Sequence, residues 1–185
     1  MRLVGNVDGT TLTYAPALPG TCPQTLDAGQ VVDCGVVAGD FEVTGDHEFV
    51  VASFQLGGTL VDPAEGLGDP SQSLFASVEQ YRVKYVFLAP GDYSENWMDV
   101  VEPTGTQLWL DASMLTDIAS AAIADGYEVR RVPLQTGSQN GAHTLEATRP
   151  VGLQVLGQGV AGFLLRVDHC AHRDEQAVQA VKGFG

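Results

Sequence analysis

The chain is poor in cations and in cysteine, and it has no long apolar run. Of its 185 residues, 9 are Lys or Arg and 23 are Asp or Glu, which gives a formal net charge of −14. Nucleic-acid phosphates would be repelled over most of such a surface, so no nucleic-acid partner is expected. An anionic membrane surface is disfavoured for the same reason. No apolar stretch approaches the ~20 residues of a helical span, so no membrane insertion is expected either. The N-terminus, MRLVGNVDGTTL, lacks the apolar segment of a signal peptide. A secreted form would carry its targeting segment outside this chain. The 3 cysteines exclude a disulfide scaffold and leave room for one bridge. The usual catalytic signatures are also missing: there is no GxSxG, no HExxH, no phosphate loop and no GxGxxG opening a helix. Neither an enzyme nor a cofactor is expected.

Glycine and proline are plentiful, at 22 and 9 residues, and they separate short β-rich runs along the whole chain. That spacing argues for many tight turns and predicts an all-β fold, an antiparallel two-sheet β-sandwich of ~10 to 12 strands. Residues 1–167 read as a single domain and 168–185 as a polar tail. The clearest strand pattern is VEQYRVKYVFLAP, Val78–Pro90. Tyr81, Val83, Tyr85 and Phe87 alternate with Arg82 and Lys84 and then with Val86 and Leu88. The run turns apolar on both faces, which predicts a central strand finishing in the core. In Glu48–Leu56 the set Val50, Ala52, Phe54 and Leu56 reads as buried. Trp97–Val101 and Gln107–Asp111 read as strand, turn and strand. The expected core is Tyr81, Val83, Tyr85, Phe87, Val50, Ala52, Phe54, Trp97 and Trp109. Helical spacing of Met114, Leu115, Ile118, Ala121, Ala122 and Ile123 predicts one short helix near 114–124. Further strands are expected at Tyr127–Leu134, with Arg130 and Arg131 exposed, and at His143–Ala147, Leu153–Leu156 and Phe163–Val167.

Candidate sites are few. Cys22 and Cys34 flank CPQTLDAGQVVDC, where Asp27-Ala28-Gly29 suits a three-residue turn with glycine in its left-handed position. Counting outward from that turn sets Cys22 opposite Cys34, within bridging reach, so a disulfide is expected; two reduced thiols are the alternative. The Gly57–Ser77 loop holds Asp62, Glu65 and Asp69, oxygen ligands whose spacing does not match an EF-hand. Asp168, His169, Cys170 and His172 cluster in the tail. Solvated surface is the plainer account of both groups, and no metal site is expected. His47 and His143 read as surface or strand-end histidines. An enzyme would need two of Asp92, Glu95, Asp99 and Glu102 to converge in one cleft, as in a carbohydrate-active hydrolase. A metal-dependent hydrolase on the same kind of scaffold would need a His/Asp cluster.

Several segments together resemble one family: VDGTTLTYAP, LDAGQVVDC, DHEFVVASFQLGG, the long GLGDPSQSLFASVEQYRVKYVFLAPGDYSENWMDVVEPTGTQLWLD, GYEVRRVPL and GAHTLEATRPVGLQVLG. Over roughly Val4–Gly157 the chain resembles the IgGFc-binding protein N-terminal domain family, in particular its bacterial members, the large surface proteins of myxobacteria. The resemblance implies a β-rich extracellular domain with no catalytic or ligand-binding residues to carry over. It implies a non-enzymatic binding or adhesion module, secreted or on the cell surface, with a protein or glycan ligand. A structural spacer stacked on neighbouring domains is the alternative, with Arg82, Lys84, Arg130 and Arg131 as its contacts. Because the family domain extends further upstream, the chain is expected to be the C-terminal portion of a longer domain.

Overall fold

The computed structural model describes residues 1–57, 60, 64, 71–89, 91, 93, 95–134, 141–158 and 179–182. Among the described residues there are fifteen strands and a 3₁₀ turn, Val78–Gln80. The expected all-β class with sandwich-like packing holds, but the strands are shared among three sheets rather than two.

The first lobe pairs two four-stranded sheets. One has the order β4 (Val31–Asp33), β1 (Arg2–Gly5), β6 (Phe49–Phe54), β7 (Gln72–Leu74). The other runs β15 (Gln179–Lys182), β5 (Phe41–Gly45), β2 (Thr10–Ala15), β3 (Thr25–Leu26). Period-2 alternation decides which side chains go inward. In β2, Thr10 and Leu12 are buried while Thr11 and Thr13 are exposed. The inward sets of both sheets meet in one core of Leu3, Leu12, Leu26, Phe41, Val43 and Val51 with Cys22 and Cys34. β15, from within the expected tail, pairs with β5 in parallel; residues 168–178 and 183–185 of that tail lie outside the described residues.

Cys22 and Cys34 are joined by a disulfide, with their Cα atoms 4.5 Å apart. The route to that contact differs from a single hairpin ladder. The turn itself forms, with Gln30 N–H donating to Asp27 O at 3.0 Å and Gly29 at φ 74°. Its two arms then part: β3 joins β2 through Thr10↔Leu26, and β4 joins β1 through Leu3↔Val32. The loop therefore crosses from one sheet to the other, and the disulfide ties the loop's ends across the sandwich.

The second lobe is one seven-stranded sheet folded on itself. Its spine is β14 (Gly141–Gln158), read from sequence as two strands, with a register break between Glu146 and Val151 around Arg149-Pro150. The N-terminal half of β14 lies between β8 (Arg82–Ala89) and β10 (Leu108–Leu110). Its C-terminal half pairs with β9 (Glu95–Pro103), which pairs with β13 (Tyr127–Leu134). The short strands β11 (Ser113–Met114) and β12 (Ser120–Ala122) flank β10 and β13. The bend presses the halves together around Ala89, Met98, Val100, Leu108, Val132, Leu134, Leu145 and Val151. β9 and β10 are thus not hairpin partners, because β14 separates them.

Several expectations are corrected. Among the described residues β8 is an edge strand: it pairs with β14 alone, and Val86 and Leu88 are 72% and 62% exposed. Tyr85 and Phe87 do pack on the second core, but Val83 sits at its rim, 50% exposed. In β6 Ala52 is buried as expected, but the rest of the expected set is not. Val51 faces the core opposite Leu3, whereas Val50 and Phe54 are exposed and Phe54 lies 4.6 Å beneath the Arg2 guanidinium. Both alternate sets of β6 are comparably apolar, so the partner strand's register decides between them. Trp97 and Trp109 are half-buried. No helix forms at 114–124; that segment contributes β11 and β12. A helix of about three turns is marginal alone. Here the neighbouring strands supply edges, and the Arg130 guanidinium donates to the Leu115 and Ile118 carbonyls at 3.3 and 2.8 Å.

Candidate functional site

The two lobes meet over the outer face of β9, β13 and the second half of β14. One row of that face is polar. Gln154, Asp99 and Arg131 are cross-strand neighbours in register. The two outer members are clamped to the first lobe. Gln154 Nε2 donates to Ser73 Oγ of β7 at 2.7 Å, and an Arg131 guanidinium nitrogen lies 2.5 Å from Asp40 Oδ1, just ahead of β5. The middle member is different. Asp99 is 3% exposed, and its carboxylate accepts no hydrogen bond among the described residues. Burial pushes its pKa up to about 6; Arg131 opposes that rise and Asp40 adds to it.

A cleft opens over this row. Leu74 at the end of β7, with Phe75 and Ala76 after it, forms one wall, and Asp99, Val101 and Gln154 lie on the opposite side. Tyr81 closes one end by resting directly on Gly152, where a β-carbon would stand 2.5 Å from its ring. Gly152 is therefore glycine for close approach. The Tyr81 ring is buried, and that burial raises its hydroxyl pKa, with Tyr127, Tyr85 and Glu42 adding to the rise. The cavity is small, about 30 Å³.

Two other polar groupings are structural. Glu102 lies on the opposite face of β9 from Asp99, wholly buried. Arg130 Nε donates to its Oε1 at 2.9 Å, and burial raises the Glu102 pKa against the pull of that guanidinium. Arg130, expected to be exposed, is instead the counter-ion of a core carboxylate, and Arg131 is the inter-lobe clamp. His143, expected near the surface, is 6% exposed and stacked on Phe87 at 5.4 Å. Its Nδ1 lies 2.7 Å from Asp111 Oδ2, while Asp111 Oδ1 accepts the Thr144 N–H at 2.8 Å. These contacts hold Asp111 and Ala112 in their left-handed turn, at φ 48° and 65°.

Of the four acids named for an enzyme, two have described side chains, Asp99 and Glu102. Asp99 and Glu102 point to opposite faces of β9. Asp92 lies outside the described residues, as does the Glu95 side chain. Asp62, Glu65, Asp69 and the Asp168–His172 cluster also lie outside them. Among the described residues, no three His, Cys, Asp or Glu side chains group as metal ligands. Sequence reasoning missed the roles of Gln154, Ser73 and Arg131. A signal was present in β9, where Asp99 stands between Trp97 and Val101 on one face of an otherwise apolar run.

A sandwich-like all-β scaffold carrying a small polar-floored cleft has the build of a binding-type domain. The comparison with known families agrees: the chain belongs to the IgGFc binding protein family, whose model matches residues 1–157. No curated protein and no solved structure matches it.

Proposed function

We propose that this chain is a non-enzymatic binding or adhesion module of a secreted or cell-surface protein, with a protein or glycan as its ligand. The observation that carries this reading is the inter-lobe cleft. Its floor holds Asp99, a 3% exposed carboxylate for which no hydrogen bond is found among the described residues. Folds seldom keep such a group unless something else uses it. The family's binding character supports the same reading. The Cys22–Cys34 disulfide supports an oxidising, extracellular setting, because such bonds rarely persist in a reducing cytosol. The test is saturable binding of the immobilised chain, at physiological salt, to IgG Fc, a mucin glycoprotein and a set of secreted proteins. Saturable binding to any of them supports the module; none at micromolar concentrations overturns it.

The second reading, a spacer within a longer surface protein, is favoured by β8. Its outer edge, unpaired among the described residues, and its exposed Val86 and Leu88 are suited to packing against an adjoining domain. It predicts no saturable ligand, together with burial of those two side chains when a flanking domain is attached.

A further inference from the structure

We propose that the cleft between the lobes is a socket for one cationic side chain, a lysine ammonium or an arginine guanidinium, presented by a protein partner. This deepens the binding-module reading and rests on it.

The chemistry of the floor carries the inference. Asp99 is 3% exposed and lines the cleft with no hydrogen bond among the described residues. Its neighbours in the row each have a partner on the other lobe. The Arg131 guanidinium is turned to Asp40 at 2.5 Å, and the Gln154 amide donates to Ser73. Asp40, ahead of β5, adds negative charge to the same seam, and Glu42 of β5 acts on Tyr81 in the same sense. An entering cation would find a desolvated acceptor, where a charge-assisted hydrogen bond is strong. The walls suit the rest of such a side chain. Leu74 and Val101 offer apolar surface for an alkyl stem, and the rings of Phe75 and Tyr81 can face a cation. Size narrows the occupant further. The cavity is about 30 Å³, far below the ~300–1,000 Å³ of small-molecule pockets, which leaves room for an ammonium-sized head and not for a whole ligand. A net charge of −14 draws basic partners towards the domain before contact.

The test uses the full chain, 15N-labelled and titrated with Nα-acetyl-lysine methylamide and Nα-acetyl-arginine methylamide. The neutral control is the norleucine analogue. Expected are saturable amide shifts at Phe75, Ala76, Gly152 and Gln154 with at least one cationic probe and none with the control. Asp99→Asn should weaken that binding ~10-fold or more, the usual worth of a buried charge-assisted bond. Binding should also weaken progressively below pH about 6, as Asp99 takes up a proton beside Asp40, Arg131 and Tyr81. Equal shifts with the norleucine control, an unchanged affinity in Asp99→Asn, or no shifts at the cleft with either cation would each overturn the socket. The two readings fail separately. Saturable capture of a protein ligand that Asp99→Asn leaves intact keeps the module and sinks the socket. Asp99-dependent probe binding with no protein ligand found keeps the socket and sinks the module.

Discussion

Replacing Asp99 by asparagine should make the protein more stable at neutral pH. Asp99 titrates at about 6 in the fold against an ordinary 3.8, because burial penalises its charged form more than Arg131 rewards it. Between those two values the folded chain binds the extra proton, so stability falls as pH rises through the window and stays lowered above it. Two pKa units correspond to about 3 kcal/mol, at about 1.4 kcal/mol per unit. Asparagine has no charge to desolvate, though its buried amide recovers part of the loss, at about 1 kcal/mol. The net expectation is a gain of about 2 kcal/mol near pH 7.5, shrinking towards zero near pH 4, where the native carboxyl is protonated as well. Urea unfolding of both proteins at the two pH values measures it. A variant no more stable than the parent at neutral pH, or a gain of equal size at pH 4, would refute the reasoning.

Arg130→Met should cost about 3–5 kcal/mol in urea unfolding, because it strands the buried Glu102 carboxylate without its guanidinium. Reducing Cys22–Cys34, which closes a sequence separation of 12 residues, should lower stability by about 3 kcal/mol, seen as a lower urea midpoint with reductant than without. Gly152→Ala drives a methyl into the Tyr81 ring; a loss of about 1–3 kcal/mol and a shifted Tyr81 ring resonance are expected, and an unperturbed Tyr81 would sink that claim. Asp111 is held below its ordinary 3.8 by the Thr144 N–H and by His143, so its contribution is present above that value and lost as pH falls below it. Asp111→Asn should therefore flatten the acid limb of the stability profile below about pH 4.

How much of this was legible in the sequence depends on whether a feature is local. Turn chemistry is local, and the Asp27–Gln30 turn forms with Gly29 left-handed where glycine was read to need it. Strand character is nearly local too; Tyr127–Leu134 carries the bounds its pattern suggested. Pairing is not local. Nothing in VEQYRVKYVFLAP says whether a neighbour lies on both sides, so an apolar edge strand reads as a central one. Nothing in Trp97–Asp111 says that a strand more than thirty residues later will wedge between its arms. The segment 113–126 reads as a helix because its apolar spacing fits one, and the deciding agent, Arg130, lies on another strand. The resemblance carried family and class but no site, since the family motif holds no residues with assigned roles. Asp99 was visible as a candidate acid. Its solitude was not, because that depends on Ser73 and Asp40 reaching across from the other lobe to occupy its neighbours.

That solitude bears on where recognition should be sought. On a β-sandwich the usual candidates are the rim loops, and the sequence points to the long Gly57–Ser77 loop for that reason. The cleft takes its wall from the last residues of that segment, between lobes, where Leu74–Ala76 stands against the floor of β9 and β14. The Arg131–Asp40 and Gln154–Ser73 clamps lie on either side of Asp99. Separating the lobes would break both and expose the carboxylate to water; keeping them closed holds it desolvated and ready for a cation. A group that costs the folded chain about 3 kcal/mol at neutral pH, yet is braced on both sides, is better explained by a use in binding than by packing. The same residue should then report on both properties in opposite directions: Asp99→Asn gains stability and loses the cation. A variant that gained stability and kept the cation would confine Asp99 to a misfit of packing and return the search for a ligand to the loops.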